Sequence, residues 1–150
     1  MIKKLRHKDE DIAKKIRSIF QVSYAVEAKL LSAVDFPPLK RKLENFVACE
    51  TIFFGYLKNN EFAGVIEIDK SNTSIHIQSL VVAPKFFRQG IGRKLTEFIL
   101  NYFDSKLFTV ETGVKNKPAI KLYKKLGFIE VKQWNTDHGV RKIRFKKLIQ

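Results

Sequence analysis

The spacing of apolar residues in this chain switches from helical to alternating and back again, and few architectures can absorb both changes. Ile12, Ile16, Ile19 and Phe20 recur at helical spacing behind Asp9, which reads as an N-cap with Asp11 in the first turn. That spacing predicts a helix to about Tyr24. Ala28, Leu30 and Leu31 would extend it, until Asp35-Phe36-Pro37-Pro38 breaks it. Leu39, Leu43, Phe46 and Val47 suggest a second helix. From Thr51 the period falls to two. Strands are expected at Thr51–Leu57, Phe62–Ile68 and Thr73–Val82, with turns at Lys58-Asn59-Asn60-Glu61 and Asp69-Lys70-Ser71-Asn72. Two hairpins in succession make an antiparallel meander.

After Ala83-Pro84 the helical period returns. Ile91, Leu95, Phe98, Ile99 and Tyr102 line one face of a helix starting near Gly90. A strand follows at Leu107–Thr112. Pro118 opens a further helix that Gly127 stops. Phe128–Trp134 and Val140–Ile149 complete the chain as strands around Asp137-His138-Gly139. With Ile2–Leu5 as the first strand, the order is β-α-α-β-β-β-α-β-α-β-β. The fold class is α/β: a mixed, largely antiparallel sheet with helices on both faces, in one domain over residues 1–150. At 150 residues and 45% hydrophobic composition the chain can bury a core and is not a disordered segment. The lone cysteine, Cys49, excludes an internal disulfide. His7, His76 and His138 are scattered, so no metal is expected. No apolar run approaches the ~20 residues that span a bilayer, and the expected setting is cytoplasmic.

The chemistry concentrates between Leu80 and Leu95, where a strand turns sharply into a helix with glycines at 90 and 92. Such a turn is an anion site. The first amides of a helix lack intrahelical partners, the dipole favours negative charge, and glycine lets a phosphate approach the backbone. Arg88, Arg93 and Lys94 add positive charge. It is not a P-loop, since no Gly-Lys-Ser/Thr follows. It is a poor dinucleotide fingerprint, since the third glycine is missing and a meander precedes it.

A strand, Pro84, an aromatic pair and Gly90-Ile91-Gly92 opening a helix resemble motif A of the GNAT superfamily of N-acetyltransferases. Asn116-Lys117-Pro118-Ala119-Ile120-Lys121-Leu122-Tyr123, followed by Gly127-Phe128, resembles its motif B. The resemblance implies acetyl-CoA as acetyl donor. It implies that the backbone of Leu80, Val81 and Val82 binds the pantetheine arm. The pyrophosphate would fall to Arg88, Gln89, Gly90, Ile91, Gly92 and Arg93, with a further cofactor contact at Asn116. Tyr123 matches the general acid that protonates the leaving thiolate, a balanced transfer because phenol and thiol have similar pKa values.

Two positions depart from the family pattern. Phe87 stands where a Gln or Arg side chain is usual. Gln78 and Ser79 stand where many members carry a strand carboxylate. The general base is therefore open between His76, which period two places with Gln78 and Leu80, and Glu67 on the neighbouring strand. Glu111 is a weaker candidate, and a water chain with no single base is another solution.

The formal net charge is +14, from 29 Lys and Arg against 15 Asp and Glu, and it is spread along the chain. It fits an anionic or neutral acceptor better than a polycation. The resemblance implies a small-molecule or peptide amine as acceptor, on a side shaped by the segments that include Tyr24, Glu27, Asp35, Phe36, Pro37 and Pro38. Two other readings remain: a non-catalytic, basic nucleic-acid-binding module, less favoured because its phenylalanines sit at core spacing, and a CoA-binding fold without turnover. A homodimer is the oligomeric prior.

Overall fold

The computed structural model describes all 150 residues. It contains seven strands, β1 (Ile2–Leu5), β2 (Ile52–Lys58), β3 (Glu61–Lys70), β4 (Ile75–Val82), β5 (Leu107–Gly113), β6 (Ile129–Asn135) and β7 (Arg141–Leu148). Four α-helices accompany them: α1 (Glu10–Leu31), α2 (Leu43–Ala48), α3 (Ile91–Tyr102) and α4 (Lys117–Lys125). The strands form one sheet in the order β1-β2-β3-β4-β5-β7-β6, antiparallel except at the parallel pair β4–β5. The expected element order and sheet character are both observed. No helix is long and apolar enough to cross a membrane.

Local chemistry explains most boundaries. The Asp9 carboxylate accepts from the amides of Asp11 and Ile12 at 2.9 and 3.4 Å, capping α1. That helix runs past Tyr24 to Leu31, where Ser32 takes a left-handed conformation and ends it. Ala28 and Leu31 continue the stripe that packs on the sheet, so the extension past Tyr24 is part of the helix. Pro37–Lys40 forms a single 3-10 turn before α2. Asn59 and Asn60 both have positive φ, matching the tight β2–β3 hairpin.

Two apolar clusters sandwich the sheet. One is built on α3 and α4 and includes Ile66, Ile68, Ile75, Ile77, Leu95, Phe108 and Tyr123. The other, under α1 and α2, holds Phe20, Phe46, Phe53, Val65 and Val81.

The site is created by two breaks in the sheet. In β4, Glu67 pairs with Ser79 but Ile68 pairs with Ile77, so Gln78 is an extra, bulged residue. The bulge also switches faces. Ile75 and Ile77 pack toward α3 and α4, and so do Leu80 and Val82, whereas Val81 packs toward α1. Unbroken alternation, which would put His76, Gln78 and Leu80 on one face, therefore fails: His76 lies on the α1 side and Leu80 on the α3 side. The second break is between β4 and β5. Their pairing covers only Ile75–Ile77 with Phe108–Val110. Beyond it β4 stays on β3 and β5 stays on β7, and the two strands part.

Candidate active site

The parting strands leave an opening of about 80 Å3, walled by Gln78, Ser79 and Leu80 of β4 and by Glu111 and Thr112 of β5. Tyr24 and Glu27 of α1 close it on one side and Tyr123 of α4 on the other. On the α1 side it joins a cleft of about 900 Å3, between α1, the Pro37–Lys42 segment, α2 and the sheet. Past Ile77, the edge of β4 that faces β5 has no strand partner. Its backbone groups are free to bond an extended ligand.

The N-terminus of α3 lies at the far end of that edge. Gly90 is its N-cap, with φ of 75°, and no side chain caps the helix. A Cβ at Gly90 would meet nothing within 4 Å, so the cradle is open. A Cβ at Gly92 would lie 3.7–3.9 Å from Leu80, Leu122 and Val82, which puts Gly92 on the groove between β4 and α4. Arg88 also has positive φ and is exposed, as are Phe87 and Gln89. The Gln89 carbonyl accepts from Lys58, and Arg93 pairs with Glu97 at 3.4 Å. Val81 gives this region only its backbone, because its side chain is buried on the other face.

Tyr123 is 3% exposed, and burial, then Tyr24 and Glu27, push its phenol above the usual range, so it is protonated at neutral pH. Burial is also the main cause that raises Tyr24, followed by the charge of Glu27. Glu27 is half-buried, and its carboxyl is pushed up to about 7 by burial, against the opposing pull of Lys142 and of the Asn116 amide. A carboxyl that titrates near neutrality at the junction of two cavities is suited to moving protons.

The other proton acceptors suggested by sequence sit differently. Burial lowers the pKa of the His76 imidazole; its Nδ1 is 2.7 Å from the Thr109 hydroxyl, and it lines neither opening nor cleft. Glu67 does line the cleft, but its oxygens are taken. Oε1 accepts from Arg41 at 2.7 Å and Ser79 at 3.0 Å; Oε2 accepts from Arg41 at 2.9 Å and Thr51 at 2.7 Å. Glu111 faces both cavities, paired with Arg144 at 2.5 Å and Lys142 at 3.8 Å.

Asn116 caps α4, its Oδ1 accepting from the Ala119 amide at 3.3 Å. Its Nδ2 donates to Glu27 Oε1 at 3.1 Å and to the Thr112 hydroxyl at 3.3 Å. Sequence reasoning missed Arg41, buried within the run Lys40-Arg41-Lys42 that reads as a solvated face. It also placed Glu27 only among acceptor-side acids. No local signal links either residue to a partner 26 or 89 positions away.

An unpaired strand edge thus runs into an uncapped, glycine-opened helix, with a protonated tyrosine beside the gap. Residues 14–128 match the Acetyltransferase (GNAT) family, and the chain belongs to it. The chain is 36% identical over 141 residues to the UPF0157 protein YqkA of Bacillus subtilis, covering 93% of this chain and 41% of that protein. It thus spans less than half the length of this and the other curated relatives it matches. Among solved structures, the ribosomal-protein-S18-alanine N-acetyltransferase of Escherichia coli superposes with a TM-score of 0.79 at 22% identity, over 99% of this chain and 93% of that one. The yncA structure from Salmonella typhimurium, solved with its cofactor acetyl-CoA, gives 0.77 at 16% identity, over 100% and 94%. At these identities the likeness is one of fold.

Proposed function

We propose that this protein transfers an acetyl group from acetyl-CoA to an amine held in the 900 Å3 cleft. The observation that carries this reading is the gap between β4 and β5, onto which the unpaired β4 edge, Glu27 and Tyr123 converge.

Acetyl-CoA, when bound, supplies an acetyl thioester open to nucleophilic attack. The free backbone groups of Leu80–Val82 bond the pantetheine arm in place of a sheet neighbour. The amides at Gly90–Arg93 take the pyrophosphate, helped by the helix dipole and by Arg88 and Arg93. No phosphate contact is needed from position 87, so Phe87 is compatible with donor binding through backbone amides.

Glu27 is assigned as the base in place of His76 and Glu67. It takes the proton from the incoming ammonium, and its carboxyl at about 7 is half ionised at neutral pH. The free amine attacks the acetyl carbon, and the carbonyl oxygen gains charge that strand amides stabilise. As the carbon–sulfur bond breaks, Tyr123 gives its proton to the departing sulfur, and its phenol is restored by the second proton that the nitrogen releases as the amide forms. Glu67 fixes Arg41 in the cleft wall and takes no proton. The acceptor is a small-molecule or peptide amine: the cleft is far larger than the amine it must orient.

The test is thiol release from acetyl-CoA with a panel of peptide and small-molecule amines, alongside a thermal-shift titration with acetyl-CoA. Donor at about 100 times its dissociation constant should stabilise the fold by ~2.7 kcal/mol. Binding with amine-dependent thiol release supports the reading. Saturable binding without release from any amine leaves a CoA-binding fold. No binding, with a salt-sensitive shift on adding DNA, favours the nucleic-acid reading.

A further inference from the structure

Asn116 ties together three elements that carry the proposed chemistry. We propose that Asn116 is a positioning residue for Glu27, holding its carboxylate at the junction of the opening and the cleft. This inference rests on the reading of Glu27 as the base.

A side-chain amide has two N–H donors and one carbonyl. In Asn116 all three are engaged: Nδ2 with Glu27 on α1 and with Thr112 on β5, and Oδ1 with the Ala119 amide on α4. No other side chain donates a hydrogen bond to Glu27. The cap fixes where α4 begins, and Tyr123 lies two turns further along the same helix. One side chain thus sets the carboxylate of the base and the start of the helix that carries the acid.

The bond also bears on protonation. Glu27 faces Tyr24 from its own helix, Glu111 from β5, Lys142 from β7 and Tyr123 from α4. Of these only Lys142 favours the carboxylate, and Lys142 is shared with Glu111 at 3.8 Å. The Asn116 amide is the second influence that keeps Glu27 from rising further.

Asn116→Asp and Asn116→Ser separate this role from the others. Asp and Ser are N-caps comparable to Asn, so α4 keeps its start, but neither replaces the two amide donors. Two readouts are taken. One is the acid limb of kcat/KM for an amine acceptor. The other is the carboxyl titration of Glu27, followed by carbon-13 NMR in protein labelled at glutamate and assigned with Glu27→Gln. In Asn116→Asp the lost donors and the added like charge should move both upward by about one pH unit or more. Asn116→Ser should move them in the same direction by less, with thermal stability and acetyl-CoA affinity close to the parent's. The proposal is overturned if the Glu27 titration stays in place in both variants, whether acetyl-CoA affinity falls, as for a donor contact, or only the melting temperature changes, as for a simple cap. Failure of the parent reading looks different. If Glu27→Gln keeps the acid limb and the turnover, Glu27 is not the base, while the NMR titration still decides what Asn116 does to it.

Discussion

Replacing Arg41 with alanine would strand a carboxylate in the cleft wall. Glu67 is 1% exposed and is held by the two terminal guanidinium nitrogens of Arg41 and by the hydroxyls of Thr51 and Ser79. The guanidinium also lies 4.1 Å from the Phe46 ring centroid, and its Nε donates to Asn45 at 2.6 Å. Removing one partner of a buried pair costs about 3–5 kcal/mol, because the remaining charge is uncompensated. The Arg41 side chain is 19% exposed, so water screens part of that charge and the lower end, about 3 kcal/mol, is expected. For a domain of this size that lowers Tm by ~6–12 °C. Adding Glu67→Leu to Arg41→Ala removes the stranded charge and should recover at least half of the loss. The deficit should also depend on pH. A buried carboxylate without its counterion binds a proton more readily folded than unfolded. The variant is therefore closest to the parent at acid pH and loses stability relative to it as pH rises. Urea unfolding followed by circular dichroism at pH 5 and pH 8, on parent, single and double variants, measures all three quantities. A single variant within ~0.5 kcal/mol of the parent would refute the account, since exposed pairs contribute only that much. A double variant no better than the single would refute it equally.

Three further outcomes follow from the site. Tyr123→Phe should lower kcat by about 100-fold, the lower end for general acid catalysis, while the acetyl-CoA dissociation constant changes less than twofold; unchanged turnover would remove the acid role. Glu27→Gln should abolish the acid limb expected of the parent near pH 7, where the Glu27 carboxyl must be ionised to work and activity falls as pH drops below it; a limb that survives the substitution would rule out this base. Gly113→Ala would place a Cβ 2.5 Å from Leu31 Cδ2 at the end of α1, an overpacking that should cost about 1–3 kcal/mol in urea unfolding and raise the KM of the amine more than that of acetyl-CoA.

Much of the architecture was legible in the residues. The switches of period, the Asp9 cap, the paired asparagines of the first hairpin and the prolines at 37, 38, 84 and 118 are local signals, and local signals survive without knowledge of the fold. The proposed donor side rests on signals that are equally local. An uncapped helix start behind Gly90 and a tyrosine at position 123 need only their own segments to be recognised.

The bulge at Gln78 was not readable, and it overturned the one inference that depended on strict alternation along β4. His76 and Leu80 would share a face in an unbroken strand, but the pairing of Ile68 with Ile77 puts them on opposite sides. Nothing within residues 75–82 forces that break; it is set by pairing with β3. The roles of the carboxylates were also out of reach. Glu67 and Glu27 are chemically alike as letters. One meets an arginine and two hydroxyls and is held as half of an ion pair, while the other meets an amide beside two tyrosines and is raised by burial to about 7. Sequence by itself determined the order of elements, the glycine-opened start of α3 and the place of Tyr123 on α4, because each is written in a short run of neighbours. Only the tertiary structure decided where the sheet opens and which carboxylate can accept a proton, because desolvation and counterions come from residues brought together across the fold.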